Sequence, residues 1–440
     1  MAVDPIAQAV AYPAPCLILT PDYFNFRYCK LRTDSFLASP MNLFPVPLAL
    51  IRLCLMLGAV SVALPVFAAP PSSEKHPAKH AKEKAKTKAK PTLSAKLKPK
   101  PKAKAKTKVR KVSLPANEAD AEFTNFGQWR AVSEFIDQMV QQHGFDSAVL
   151  HAQFARAHYL ENVVKLINPP PANKEKNWTA YRERFIEPVR IKAGAAFWSQ
   201  HEEALARAEA QYGVPPEIIV GILGVETLYG RMAGKIRVMD SLSTLGFAYP
   251  ETPNRDARMR YFREELEQTL LYARENNIDP FTLSGSFAGA IGWAQFMPGS
   301  VRRYAVDFDG DGKIDLLHSP VDAIGSVASF LVKHGWKNGL PLIFPATVSN
   351  DEDRRWQSLL GHSLEASYSL PECWLAGVST SSELPAGLTY GLVDLQDGSK
   401  PTLYWLGTEN FFAITKYNRS FYYAMSVIEL GNTIKQRRAQ

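Results

Sequence analysis

The chain has 440 residues, of which 46% are hydrophobic, enough for a large buried core and for two or three domains. Its formal charge of +8 is unevenly distributed, since residues 72–112 carry a net +14 and residues 113–440 a net −7. This distribution excludes a basic nucleic-acid groove across the folded part, and residues 72–112 contain no aromatic side chain for base stacking. We therefore expect no nucleic-acid partner.

An apolar run at residues 53–69 is too short for a typical membrane span and ends in small residues. Val66 and Ala68 fit the −3 and −1 positions of a signal-peptidase site. We interpret residues 41–69 as a signal peptide starting at Met41, and residues 1–40 as a wrongly assigned extension. An uncleaved anchor is the alternative. Three of the four cysteines lie at or before residue 54, so the mature chain keeps only Cys373 and no intramolecular disulfide is expected.

Residues 70–118 form a linker rich in Lys, Ala and Pro, with few apolar side chains to bury. We interpret this linker as a solvated spacer. Electrostatic contact with an anionic wall polymer or membrane surface is the second interpretation, because the segment is strongly cationic.

The remaining sequence is mainly helical in pattern. Apolar residues recur at helical spacing over residues 126–143, 145–166 and 195–212, after Pro215 and Pro216, and again over residues 261–276, 320–334 and 421–437. Between residues 340 and 417 the pattern changes to short β-rich runs, LIFPATV, GLTYGLVDL, TLYWLG and NFFAITKY. The sequence predicts a mainly α (α+β) protein with a small β-rich part. No repeat or long amphipathic seam indicates an oligomer, so we expect a monomer.

One glutamate stands out in the apolar segment IIVGILGVETLYG. Glu226 has Ile222, Leu223 and Tyr229 at helical spacing, and such neighbours desolvate a carboxyl and raise its pKa. A carboxylic acid protonated near neutral pH is suited to general acid catalysis at a glycosidic oxygen. A glutamate on the exposed edge of a buried helix would show the same pattern.

A second motif, GSFAGAIGWAQFMP at residues 285–298, combines small residues with polar and aromatic ones. Glycine and alanine allow a ligand or another backbone to approach closely. Ser286 and Gln295 offer hydrogen-bonding groups, while Trp293 and Phe296 offer flat faces for sugar rings. A tight helix crossing would also use the small residues.

These two motifs, with DFDGDGKID, SPVDAIGSVASF and ITKYNRSFYYAM, resemble the lytic murein transglycosylase B family over residues 120–437. The resemblance implies a lysozyme-like core (about 213–339 plus 411–437), a helical part (about 119–212) and a β-rich part (about 340–410). It further implies an exported enzyme of the Gram-negative periplasm. Its partner would be the peptidoglycan glycan strand, cut between N-acetylmuramic acid and N-acetylglucosamine to leave a 1,6-anhydromuramoyl end.

The resemblance assigns Glu226 as the single catalytic acid and base. It assigns substrate contacts to Tyr181, Ser286, Gln295, Phe296, Asn418 and Tyr423. Family members carry paired arginines soon after a tyrosine–proline step, and Arg258 is the candidate for one of them. A lysozyme-type hydrolase and a catalytically silent wall-binding protein are the alternatives. The hydrolase would leave a reducing end.

The DFDGDGKID segment has the spacing of an EF-hand-like calcium loop. Asp307, Asp309 and Asp311 occupy positions 1, 3 and 5, Gly312 permits the sharp turn, and Lys313 would contribute its carbonyl. The resemblance indicates Asp322 as the closing carboxylate. We expect a structural Ca²⁺ here, with a metal-free acidic turn as the alternative.

Overall fold

The computed structural model describes residues 125–168, 175–361 and 364–440. The predicted extension (1–40), signal peptide (41–69) and linker (70–118) lie outside the described residues.

Short helices form the first part of the described chain. These are α1 (Arg130–His143), α2 (Ser147–Arg156), α3 (Glu161–Ile167), α4 (Trp178–Arg182), α5 (Pro188–Gln200) and α6 (Glu202–Tyr212). Helix α1 shows why they form, since Val132, Phe135, Ile136 and Met139 lie on one buried stripe and the helix ends at Gly144 with a φ of 64°.

The central part carries the most buried helix. It contains α7 (Pro216–Thr227), β1 (Ile236–Arg237), α8 (Val238–Phe247), α9 (Arg255–Glu275), β2 (Ser284–Gly285), α10 (Pro298–Tyr304) and α11 (Pro320–Lys333). Helix α7 packs closely against α14 (Phe421–Arg438) through two glycines. A Cβ at Gly221 would lie 2.3 Å from the Val427 carbonyl oxygen, and one at Gly431 would lie 2.0 Å from that of Glu217. Small residues thus permit this helix contact.

A small antiparallel sheet follows, with the strand order β4-β3-β6-β5. Its strands are β3 (Ile343–Val348), β4 (Val378–Ser379), β5 (Gly391–Asp397) and β6 (Lys400–Gly407), with α12 (Leu370–Leu375) and α13 (Glu409–Tyr417) beside them. Val393 and Leu395 join the main core, whereas Leu392 and Leu406 belong to a second small core with Trp356. The sheet is therefore covered on parts of both faces.

The prediction of a mainly helical protein with a small sheet is confirmed, but some element predictions were wrong. NFFAITKY is helix α13, because Thr408 accepts a hydrogen bond from the Asn410 amide as its N-cap and Phe411, Phe412 and Ile414 face the core. The segments 145–166 and 195–212 each form two helices. The division into three parts remains a prediction.

Candidate active site

Glu226 lies in the last turn of α7, a helix that is otherwise buried along nearly its whole length. The residue itself is only partly buried. Its Oε1 accepts a hydrogen bond of 2.6 Å from the Tyr423 hydroxyl. Burial raises the pKa of the Glu226 carboxyl to about 7, while the Tyr423 hydrogen bond opposes that rise. Near neutral pH this carboxyl is divided between its protonated and ionised forms.

The backbone directly after Glu226 turns sharply. Leu228 and Tyr229 adopt φ values of 50° and 57°, in the left-handed region that non-glycine residues rarely occupy. Thr227 holds this turn, because its Oγ1 donates to the Trp293 carbonyl at 2.9 Å and accepts from the Gly230 amide at 2.9 Å. The strained turn thereby joins the end of α7 to the segment 285–298.

The glycines of segment 285–298 permit close backbone contacts. A Cβ at Gly285 would lie 2.0 Å from the Ala290 carbonyl oxygen, and one at Gly292 would lie 1.9 Å from that of Leu316. Both positions therefore exclude any larger residue. The sequence predicted that either a ligand or another backbone segment would lie close to these glycines, and the structure shows a backbone segment at both.

Ser286 and Gln295 are both buried within this segment. The Ser286 Oγ accepts from the Ala290 amide at 3.1 Å. The Gln295 Nε2 donates to the carbonyls of Gly292 and Ala233, which fixes the amide plane of a residue with a φ of 51°. Within the described part of the chain, the Ser286 hydroxyl proton and the Gln295 Oε1 have no hydrogen-bond partner. Each side chain is therefore held by protein through one group, while a second polar group has no partner among the described residues.

Aromatic residues form a wall beside Tyr423, which we call the tyrosine wall (Trp178, Tyr181 and Tyr422). The Tyr181 ring lies 5.4 Å from that of Tyr422 and 6.4 Å from that of Trp178. Tyr181 also acts electrostatically on Tyr423, whose pKa is raised by burial and by the charge of Glu226. The structure thus brings Tyr181 and Tyr423 to the same region as Glu226.

Asn418 lies between α13 and α14. Its Oδ1 is buried and has no hydrogen-bond partner among the described residues. Burying an amide oxygen without a partner is costly, so such an atom is a candidate ligand contact.

Sequence reasoning did not identify Tyr417, which directly precedes Asn418. Its hydroxyl donates to the Ala294 carbonyl, and its ring lies 6.2 Å from that of Tyr423 at 16°. Burial and the charge of Glu226 raise the pKa of Tyr417. The signal available in the sequence was its place in the ITKYNRSFYYAM motif.

Two predicted substrate contacts, Phe296 and Arg258, are enclosed by other side chains in this structure, and their contact with substrate stays a prediction. The Phe296 ring is 2% exposed and packs against Phe330 and Tyr417, so in this structure it offers no open face. Arg258 is buried, its Nε donates to the Tyr249 hydroxyl at 3.2 Å, and its guanidinium lies 5.0 Å from the Phe262 ring centre. Both side chains belong to the core because aromatic neighbours surround them.

The acidic loop after α10 is curled, so that three carboxylates converge. Oxygen atoms of Asp307, Asp309 and Asp311 all lie within 4.8 Å of one another, and the three residues are exposed. Asp307 accepts from the amides of Gly310 (2.7 Å) and Gly312 (2.9 Å), which fixes the turn.

Asp322, the predicted closing ligand, is not part of this group of three carboxylates, and its role as a ligand stays a prediction. It is 1% exposed, and its two oxygens accept from the amides of Phe308, Asp309 and Asp315. Because these three hydrogen bonds reach both ends of the acidic loop, Asp322 holds the loop backbone against the start of α11.

Comparison with known proteins identifies the class of this enzyme. Residues 125–432 match the family model of the transglycosylase SLT domain, and the chain belongs to this family. It is 43% identical over 315 residues to membrane-bound lytic murein transglycosylase B of Escherichia coli, which covers 70% of this chain and 83% of that protein.

Solved structures show the same relationship. The catenated lytic transglycosylase SltB1 of Pseudomonas aeruginosa is 44% identical, with a TM-score of 0.65 over 71% of this chain and 99% of that one. The E. coli lytic transglycosylase Slt35 in complex with calcium is 43% identical, with a TM-score of 0.62 over 71% and 94% of the two chains. The predicted family and enzyme class, a lytic transglycosylase, are confirmed.

Proposed function

We propose that this enzyme cleaves the β-1,4 bond between N-acetylmuramic acid and N-acetylglucosamine in peptidoglycan and forms a 1,6-anhydromuramoyl end. Glu226 would act first as the acid and then as the base. The observation that carries this proposal is a single partly buried carboxyl with a pKa of about 7, hydrogen-bonded to Tyr423. The E. coli relative is named for action on murein, which supports the substrate.

In the first step, the protonated Glu226 donates its proton to the glycosidic oxygen while the bond from that oxygen to the anomeric carbon breaks. The developing positive charge lies on the sugar ring, where the acetamido carbonyl of the substrate can stabilise it. A raised pKa makes this proton available near neutral pH.

In the second step, the ionised Glu226 accepts the proton of the sugar's 6-hydroxyl while that oxygen bonds to the anomeric carbon. The carboxyl is thereby protonated again and no water is consumed. The Tyr423 hydroxyl donates to Oε1 at 2.6 Å and stabilises the anion between the two steps. Burial raises the pKa of Tyr423, so its hydroxyl stays protonated and can donate this hydrogen bond.

A second catalytic carboxylate, which most glycosidases use, is not required by this mechanism. The two acids that follow Glu226 most closely along the sequence are engaged elsewhere. Asp240 is held by Arg237 at 2.7 Å and by the His158 amide at 3.0 Å, and Glu251 pairs with Arg255 at 3.3 Å. Their geometry supports structural roles.

Four side chains are proposed to position the substrate. Tyr181 would contact a sugar ring or its substituents at the tyrosine wall. The Asn418 Oδ1 and the Gln295 Oε1 would accept hydrogen bonds, and the Ser286 hydroxyl would donate one.

Mass spectrometry of muropeptides released from purified sacculi tests the mechanism. The wild type is expected to release anhydromuramoyl products. Glu226→Gln is expected to release them at least about 100-fold more slowly, because both proton transfers depend on this carboxyl. Glu217→Gln changes the other carboxyl of the same helix, which pairs with Lys435 at 2.7 Å, and is the matched control that should keep activity.

The alternatives give different products. Reducing-end products, heavier by one water, would indicate the lysozyme-type hydrolase. Wild-type product rates in Glu226→Gln would contradict the assignment of the catalytic residue. The absence of any product from the wild type would favour a wall-binding protein.

We also propose a structural Ca²⁺ in the acidic loop. The donor set fits the ion, because Ca²⁺ prefers carboxylate and carbonyl oxygens and three clustered carboxylates repel one another without a cation. Asp307, Asp309 and Asp311 would hold it, with the Lys313 carbonyl as a further ligand. The ion would supply positive charge that stabilises the loop. The calcium complex of the E. coli relative supports this proposal.

For location, we propose export to the periplasm, as the apolar run at residues 53–69 predicts. None of the helices in the part of the chain that the structure describes is long and apolar enough to cross a membrane. Glycan strands would be the partner, and a monomeric state remains a prediction.

A further inference from the structure

A cavity of about 390 Å³ lies on the small sheet, apart from Glu226. Asp394 and Gln396 of β5 line it together with Thr402 and Tyr404 of β6. Residues two apart on a strand point to the same face, and Asp394 pairs directly with Tyr404 across the hairpin. The cavity therefore follows one face of this hairpin.

The lining combines planar polar groups with aromatic rings. Trp356 meets Tyr404 edge to face at 5.2 Å, and polar atoms of Asp394, Gln396 and Thr402 surround them. The lining holds two carboxylates, Asp394 and Glu175, against one ammonium, that of Lys176, and this excess of negative charge disfavours a polyanion. The many polar atoms disfavour an apolar ligand. A ligand with both hydroxyl groups and apolar ring faces fits this lining, as an uncharged saccharide does.

The cavity is connected to the tyrosine wall through the tip of the hairpin. The Tyr422 hydroxyl donates to the Gln396 carbonyl, and Asp397 accepts from the amide and hydroxyl of Thr179 on α4, at 2.7 Å each. Helix α4 also carries Tyr181. Asp394 lies close enough to raise the pKa of Tyr422, after the larger effect of burial. Tyr422 of the wall thus contacts Gln396, a residue that lines the cavity.

We infer that this cavity on the β5–β6 hairpin is a second saccharide-binding site, which holds a remote part of the glycan strand that is cut at Glu226. The inference rests on the proposed function for the identity of the polymer. Two linked sites on one strand increase its affinity, because the second contact forms within the same complex.

The test measures binding without turnover, by calorimetry with the full chain carrying Glu226→Gln and glycol chitin, a long, soluble and uncharged polymer of N-acetylglucosamine that lacks the lactyl carboxylates of peptide-free glycan strands. Adding Asp394→Ala and Gln396→Ala is expected to raise the Kd about tenfold, the factor that corresponds to about 1.4 kcal/mol. Thr402→Val, on the other strand and nearly equal in volume, should weaken binding in the same direction. Glu383→Ala removes an exposed carboxylate of the β-rich part outside the cavity and should leave the Kd unchanged.

Equal Kd values for the parent and both cavity variants would overturn the inference. Weakening that is seen only with peptide-bearing strands would also overturn it, because the cavity would then bind the peptide. Failure of the wild type to make anhydro products would contradict the proposed function and would leave this binding result to stand or fail separately.

Discussion

In the proposed mechanism, the carboxyl of Glu226 must be protonated for the first step and ionised for the second. Burial supplies the first condition by raising its pKa to about 7, and the Tyr423 hydroxyl supplies the second by stabilising the anion. These two effects act in opposite directions on one pKa, so their balance decides the working pH range of the enzyme.

The acid role predicts how the rate depends on pH. Since the free enzyme needs protonated Glu226, kcat/KM is expected to be highest below the pKa of about 7 and to fall as pH rises through it. Steady-state rates on soluble glycan strands from pH 4 to 9 check this. An unperturbed glutamate would place the decline near about pH 4.3 instead.

Replacing Tyr423 should move that decline. In Tyr423→Phe the anion loses its hydrogen bond, so the pKa of Glu226 rises and the decline in kcat/KM moves to higher pH. We expect kcat to fall as well, by about 10- to 100-fold, the cost of a hydrogen bond to a charged group. Tyr422→Phe is the control, because the Tyr422 hydroxyl donates to the Gln396 carbonyl and not to Glu226. If kcat/KM declined at the same pH in Tyr423→Phe and in the wild type, the role of Tyr423 would be contradicted.

At the scale of elements, the site depends on how helix α7 ends. The left-handed residues Leu228 and Tyr229 and the Thr227 hydroxyl direct the chain against the segment 285–298, whose glycines accept that contact. The backbone strain lies next to the Glu226 carboxyl, where the packed surroundings hold it in place. Tyr417 connects the same segment to α13 through the Ala294 carbonyl.

The acidic loop gives the element-scale prediction. If Ca²⁺ binds only the folded state, a Ca²⁺ concentration of 100 times its Kd should stabilise that state by about 2.7 kcal/mol. The Tm should therefore rise by several degrees with Ca²⁺ and fall with a chelator. Asp309→Asn should abolish most of this response, because it removes one of the three converging carboxylates. Asp353→Asn, an exposed acid elsewhere, should keep the response; an unchanged Tm in the wild type would show a metal-free turn.

At the scale of the whole molecule, we expect that catalysis does not require the cationic segment, residues 72–112. The family match spans residues 125–432, and residues 113–440 carry the opposite net charge to residues 72–112. A spacer would affect only where the enzyme can reach on the sacculus.

We therefore expect residues 113–440 to cleave soluble glycan strands with a kcat/KM within about twofold of that of residues 70–440, because a solvated spacer adds no contact to the active site. Rate measurements in low and high salt check this. A loss that occurs only in low salt would indicate an electrostatic tether, since such attraction is screened by salt.

Local pattern was enough to predict most of the helices, the presence of a small sheet and the family, and to single out Glu226 as a candidate. Helical periodicity, the apolar surroundings of one glutamate and several ordered motifs are properties of neighbouring residues, so they can be read along the chain. Glu226 was singled out because the residues that desolvate it lie within one helical turn.

The tertiary structure alone decided which side chains reach the site. Tyr423 lies 197 residues from Glu226 and yet donates to it, whereas Phe296 and Arg258 are enclosed by aromatic neighbours from other elements. Helix α13 likewise overrode the β propensity of NFFAITKY through its N-cap and core contacts. Burial and long-range hydrogen bonds depend on packing between distant segments, and local residue order does not contain that information.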